Sequence, residues 1–349
     1  MRCGADRRLL LVRPCHTSVV RAVTAGFRVW SVQDPALCAP HCLAETERLS
    51  QDVQLTDTGD PAALAALLGR TARRHGIAQV LHLDDRRRSL AALAAADPAG
   101  PGSASPQSVR RISDHTAMRR LLNENGRSPV RARVARSVAE VPALVRTLGL
   151  PLVVKRTDAA GTHHVTRITC PGDLAAWTAR RAADAAPGPY LLEEYLAGPA
   201  FGVHTLTVDG AHHVLAITAH HQADGSVTEL YPAPLGAPAR AELRAAARAL
   251  LDLADYRAGP AYTRLVLTAR GARVVAAEAS FAGHGPEPTR TGADADPELR
   301  LFRALAGRQD DRRYPSGIAS GSLDDTMRDV ERHHHHRGEE RCAGRRSGS

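Results

Sequence analysis

A chain of 349 residues with 43% hydrophobic and 24% charged residues can bury a full-sized core and has the balance of a globular protein rather than of a disordered one. Its formal net charge of +9 is uneven: residues 84–156 hold 14 basic residues against six acidic, and residues 308–349 hold nine against eight. The basic stretch suits an anionic ligand such as a nucleotide phosphate or a carboxylate. It does not suit single-stranded nucleic acid, because it has no Phe, Trp or Tyr for bases to stack on, although duplex binding through phosphates alone stays open.

RLLLVRP, from Arg8 to Pro14, reads as a buried strand. Its apolar run is too short for a signal peptide, and no window approaches a membrane span, so the expected location is the cytoplasm. A helix pattern follows from Thr17 to Ala25, then the strand FRVWSV, a helix opening on Pro61 and running to Arg74, and the strand IAQVLHL. Strand–helix–strand alternation predicts a parallel α/β sheet. The turn after the first strand is PCHTS, without the glycines of a dinucleotide fingerprint. The six cysteines, at 3, 15, 38, 42, 170 and 342, show no disulfide framework. CAPHC, from Cys38 to Cys42, lacks the second pair that a tetrahedral metal site needs, so these are read as buried or free thiols.

DPAGPGSASPQS, Asp97 to Ser108, has the composition of a flexible linker. Beyond it, ISDHTAMRRLLNENG predicts a helix capped by Ser113 or Asp114 and ended by Gly126, and Val130 to Ala135 a strand. Ser137 and Glu140 have the spacing of a capping box. PLVVK then reads as a strand running into a glycine-containing turn. LLEEYL, FGVHTLTVDG and HHVLAITAHH are β-rich, the last two joined at Asp209-Gly210 as a hairpin. A helix from Pro238 to Ala254 and a second hairpin turned at Arg270-Gly271 follow. After Gly307 the composition predicts a disordered tail, and His333 to His336 within it are read as a solvated tract. The implied organisation is an α/β N-terminal domain over 1–97, a linker over 98–108, an α+β domain over 109–307 and a tail over 308–349.

Lys155 is the only lysine among 46 basic residues. An ammonium on a flexible stem can follow phosphate oxygens, whereas a planar guanidinium favours one bidentate geometry. Lys155 ends a strand before TDAAG; LLEEYLAG ends another before a hairpin; Glu278 ends a hairpin strand in VVAAEASFAGHG. In that order and spacing, the region from about Arg111 to Gly307 resembles the ATP-grasp domain of carboxylate–amine ligases such as the L-amino-acid (dipeptide) ligases, with residues 1 to about 108 as the α/β domain that precedes it in the family.

The resemblance implies two α+β lobes clamping ATP, and an acyl phosphate that an amine attacks. It implies Lys155 on the phosphates, Glu193, Glu194 and Leu196 as the hinge meeting adenine and ribose, and Glu278 on magnesium. Arg290, in GPEPTRTG, is the candidate for a substrate carboxylate. The chain departs from the family at several positions. Asp114-His115 stands where Asp-Lys is usual, and Gly198-Pro199-Ala200 where a Gly-x-Glu is usual. Arg264 replaces the first metal-binding carboxylate, and Ser280 and Ala282 replace an Asn and an Arg after Glu278. His115, His204 and His220 fall where the family places Lys, Glu and Lys; each by itself reads as a surface histidine.

Magnesium prefers an octahedral set of oxygens, and this set is short of them. The expectation for Arg264 is a salt bridge to Glu278 on the neighbouring strand, filling the space of the ion. Three functions follow in order: an ATP-dependent carboxylate–amine ligase; a catalytically impaired relative that binds a nucleotide or a partner; and an arginine-rich nucleic-acid binder.

Overall fold

The computed structural model describes residues 7–77, 79–82, 105–156, 165–182, 188–223, 226–280, 289–290 and 296–313. The expected turn after Lys155, Ala282, most of the 98–108 linker, and the His333–His336 run lie outside them.

The first sheet is parallel, in the order β3-β2-β1-β4, from strands β1 (Arg8–Val12), β2 (Arg28–Gln33), β3 (Asp52–Leu55) and β4 (Val80–His82). Strand β1 is apolar on both faces because both are covered. Leu10 and Val12 pack with Leu64 and Leu68 of α3 (Pro61–His75), while Leu9 and Leu11 pack on the other side. Helix α1 spans His16–Thr24 and helix α2 Pro40–Leu49. The sequence reading missed α2 and β3, which are short and weakly patterned. Cys15, Cys38 and Cys42 are free thiols.

Helix α4 (Pro106–Ser113) takes in the last three residues of the stretch read as linker; Ser105 Oγ caps it by accepting the Ser108 amide at 3.1 Å. Asp114 then caps α5 (His115–Glu124), accepting from Thr116 and Ala117 at 2.9 Å each. The helix expected from the Asp114 cap to Gly126 is α5, and α4 is a further helix before it that the sequence reading missed. The expected capping box is a 3-10 turn at Val138–Glu140 leading into α6 (Val141–Leu148). Ser137 makes no side-chain cap, and Glu140 instead accepts the Arg136 amide at 2.8 Å.

A second, antiparallel sheet has the order β5-β8-β6-β7, from β5 (Ala132–Ala135), β6 (Leu152–Arg156), β7 (Val165–Ile168) and β8 (Tyr190–Glu194). Leu152, Val154, Tyr190 and Leu192 fill one face with α6 and with Trp177 of α7 (Pro171–Ala182). Strand alternation sends Lys155 and Glu193 to the other face.

The third sheet has the order β13-β12-β9-β10-β11-β14, from β9 (Ala200–Val208), β10 (Ala211–Ala223), β11 (Ser226–Tyr231), β12 (Gly259–Thr268), β13 (Gly271–Glu278) and β14 (Thr289–Arg290). The β9–β10 turn has φ of 52° at Asp209 and 83° at Gly210, as a two-residue hairpin of this hand requires. One face, with Phe201, Val203, Ala261, Leu265 and Val274, packs on α4, α5 and α8 (Ala237–Leu253). At one end of the opposite face, Leu206 and Leu215 join Leu9, Leu11 and residues Leu301, Phe302 and Leu305 of α9 (Pro297–Arg313). The rest of that face carries polar groups.

Candidate functional site

The second and third sheets meet at Lys155. Its ammonium lies 2.6 Å from Glu193 Oε2 on the adjoining strand and donates to the Val275 carbonyl on β13 at 2.8 Å. Arg119 of α5 grips the same pair of elements, its Nε donating to Glu193 Oε1 and its Nη2 to the Val274 carbonyl at 2.5 Å. Both carbonyls are available because β13 is irregular here: the register shifts between Arg264 and Leu265, so Arg264 faces Ala276 while Leu265 faces Val274. Ser128 completes the bulge, its Oγ accepting the Val274 amide at 2.7 Å.

Lys155, Arg119 and Glu193 are all buried. Burial alone would push the Glu193 carboxyl up, but the Lys155 and Arg119 charges beside it hold it down at about 2. An ammonium has three donors, and these contacts use two of Lys155's. Arginine in its place would bring a longer planar fork to an acceptor pair shaped for one nitrogen.

The chain leaves β8 through the expected hinge. Glu194 is pinned there: Oε1 accepts the Arg131 amide at 3.0 Å and lies 2.9 Å from Arg270 Nη2, and Oε2 accepts Arg131 Nε at 3.2 Å. Burial would raise this carboxyl, and the Arg131 amide with the two guanidiniums brings it below its usual value. Leu196 is half-buried. Gly198 has φ of 149°, and a Cβ there would sit 2.1 Å from the Leu267 carbonyl oxygen. Pro199 alone separates it from the start of β9, and the Leu267 amide donates to the Pro199 carbonyl at 3.0 Å, so the segment after Glu194 lies hard against β12.

Beyond the Lys155 bridge, the polar face of the third sheet carries a second cluster. Tyr262 is directly opposite both His204 and Glu278, and His220 is opposite Glu229. The Tyr262 hydroxyl donates to Glu229 Oε1 at 2.7 Å and lies 2.7 Å from His220 Nε2, which is itself 3.1 Å from Glu229 Oε1. His204 Nε2 stands 3.9 Å from Glu229 Oε2, its ring 4.8 Å from that of Tyr262. Burial would raise Glu229, but His220, His204 and the Tyr262 hydroxyl bring it to about 2; burial and the Glu229 charge push the Tyr262 phenol well above its usual value. Gly202 makes this possible, since a Cβ there would meet Tyr262 Oη at 2.5 Å and Thr218 Oγ1 at 2.6 Å.

The structure thus brings Lys155 and Glu193 into contact and sets Glu194 and Leu196 on the segment that follows. Arg264 and Glu278 share one face, Arg264 being two residues from Tyr262 and diagonal to Glu278. The salt bridge expected between them is absent: no ion pair within 4.0 Å joins them among the described residues. The bulge beside Arg264 is what sets the two on one face, since the register of Leu265–Thr268 continued without it would place Glu278 opposite Ala261; the diagonal placement still leaves them unpaired. Ser280 is fully buried. Arg290 lies on β14, paired with Tyr231. His115 opens α5.

These donors do not fit a magnesium ion. Among the described residues no group of three or more His, Cys, Asp or Glu is arranged to hold a metal. A guanidinium 4 Å from a divalent cation would oppose it by about 8 kcal/mol at an effective dielectric constant of ~20.

Sequence reasoning missed Arg119, Tyr262 and Glu229. Arg119 sits beside Met118 and one turn from Leu122 on a buried stripe, a position where a charge implies a partner. Nothing in the sequence joins Tyr262 to Glu229, which meet only through strand order.

No protein-family model matches the chain, and no curated protein matches it. Solved structures do. The L-amino acid ligase from Bacillus licheniformis superposes with a TM-score of 0.63 at 19% identity, over 80% of this chain and 68% of that one. An ADP complex of N5-carboxyaminoimidazole ribonucleotide synthetase gives 0.67 at 14% identity, over 87% and 78%. Biotin carboxylase from Campylobacter jejuni, as a beta-gamma-ATP complex, gives 0.63 at 13% identity, over 86% and 70%. Among the described residues no helix is long and apolar enough to cross a membrane. An α/β sheet leading into two further sheets that meet at Lys155, with these likenesses over most of the chain, is the ATP-grasp fold.

Proposed function

We propose that this chain binds ATP between its second and third sheets and acts as an ATP-dependent carboxylate–amine ligase. The γ-phosphoryl group of ATP would pass to a substrate carboxylate with ADP leaving, and an amine would then displace phosphate to form an amide. The observation that supports this reading is the Lys155 bridge: a buried ammonium, fixed by Glu193 and the Val275 carbonyl, with its third donor left for a phosphate oxygen. Glu193 holds that ammonium in place. Glu194 and Leu196 are assigned to the adenine and ribose end, Glu278 to the polar face near the phosphates, and Arg290 to a substrate carboxylate. No step is assigned to magnesium, because the donors do not fit it. We take residues 1–97 as the N-terminal domain, 109–307 as the ATP-grasp domain, and the cytoplasm as the location. The likeness to an L-amino acid ligase makes amino acids the first acids and amines to try.

The test is ADP formation by the purified full chain with pairs of amino acids, with mass spectrometry of the products. ADP and an amide that both require the amino-acid pair support the ligase. A nucleotide-dependent rise in melting temperature without ADP or amide supports the second reading, a nucleotide-binding relative without chemistry. Arg264, in the place of a metal-binding carboxylate, favours that second reading. If neither signal appears, both fail.

A further inference from the structure

Among the described residues, Arg264 is a charged group on the polar face without a hydrogen-bonding or ion-pair partner. It is half-buried, its Nε is buried, and neither a hydrogen bond nor an ion pair within 4.0 Å reaches its guanidinium from the described residues. The reason is its cross-strand neighbours: Gly202 on β9 and Ala276 on β13, neither of which carries a side-chain acceptor. The nearby carboxylates are committed, Glu193 to Lys155 and Arg119, and Glu229 to His220 and Tyr262. Glu278 is diagonal on the same face and outside ion-pair range.

A guanidinium whose Nε is withdrawn from water with no acceptor is unfavourable, and its terminal nitrogens stay open to a ligand. Two oxygens of one phosphate or carboxylate would satisfy it bidentately, at roughly twice the strength of a neutral hydrogen bond. We propose that Arg264 is a binding site for the polyphosphate of the nucleotide in its metal-free form, supplying the positive charge that a divalent cation supplies elsewhere. This rests on the nucleotide reading above and deepens it. It makes the chain a binder of free nucleoside triphosphate, with magnesium as a competitor for the ligand rather than a requirement.

The experiment is calorimetric titration of the full chain with ATP, once in excess EDTA and once in excess magnesium, for wild type, Arg264→Lys and Arg264→Glu, each first shown to be folded by circular dichroism. Wild type binds ATP in EDTA at least as tightly as in magnesium. Arg264→Lys retains the charge and stays within about tenfold of wild type in EDTA, while Arg264→Glu weakens metal-free binding by more than tenfold, about 1.4 kcal/mol, and gains from magnesium. Wild-type binding that needs magnesium, or an Arg264→Glu variant that binds as wild type does in EDTA, overturns the proposal and leaves the nucleotide reading standing. No ATP binding by folded wild type under either condition overturns both.

Discussion

Lys155 Nζ lies 2.6 Å from Glu193 Oε2, and this buried contact, with the Val275 carbonyl, ties the second sheet to the bulge of the third. The one lysine of the chain is therefore a structural pivot as well as a candidate phosphate ligand. Its removal has consequences before any ligand arrives.

Lys155→Ala leaves a buried carboxylate with Arg119 as its remaining ionic partner and a carbonyl without its donor. The expected loss is about 3 kcal/mol of unfolding free energy, read by urea denaturation. A double-mutant cycle with Glu193→Gln should return a coupling of about 2 kcal/mol. A loss within ~0.5 kcal/mol, the range of ordinary surface substitutions, would contradict the pivot. For the same reason, lost ATP binding by Lys155→Ala is a weaker test of phosphate contact than Arg264→Glu.

Acid should act through Glu193. Its carboxyl is held at about 2 in the folded chain against 4.5 ordinarily. A depressed folded value means the contribution is fully present above pH 4.5 and is lost as pH falls from there through 2, up to about 3 kcal/mol in total. Unfolding free energy measured from pH 6 to pH 2 should fall accordingly. Glu193→Gln, though less stable at neutral pH, should show a shallower fall over that window; an equal slope in both proteins would remove Glu193 from the explanation.

Gly198 is expected to tolerate no side chain. Its φ is 149°, and the methyl carbon of an alanine would fall 2.1 Å from the Leu267 carbonyl oxygen, so Gly198→Ala should cost at least about 2 kcal/mol. Gly126, with φ of 62° and nothing within 4 Å of such a carbon, is the control, and Gly126→Ala should cost about 1 kcal/mol. Equal melting temperatures for the two variants would show that the segment after Glu194 can move off β12 freely.

Tyr262→Phe removes the hydroxyl that donates to Glu229 and contacts His220. The expected cost is about 1–2 kcal/mol, since Glu229 keeps His220 as a partner. A neutral substitution would mean that the hydroxyl adds nothing to the cluster.

Much of the fold was legible because its signals are local. Leu9 to Val12 form an unbroken apolar run, Asp209-Gly210 is a two-residue turn, and Asp114 is a helix cap, so β1, the β9–β10 hairpin and the start of α5 could be read from neighbours in sequence. Lys155 stood out by composition alone. What could not be read depends on strands distant in the chain. The Tyr262–Glu229 contact spans 33 residues, and the Arg119–Val274 contact 155. The Arg264–Glu278 bridge was expected because the two residues lie on facing strands; a bulge that the sequence does not announce sets them on one face but diagonal to each other, and they do not pair. The capping box at Ser137 had the right residues, but Glu140 took a different amide.

The most direct measurement is hydrogen–deuterium exchange of the full chain with and without ATP in EDTA. The account predicts slower exchange in Leu152–Arg156, Tyr190–Gly198 and Gly259–Glu278, the segments around Lys155 and Arg264, with α3 unchanged. Exchange that is the same in those segments, although ATP is shown to bind, would place the nucleotide elsewhere and contradict it.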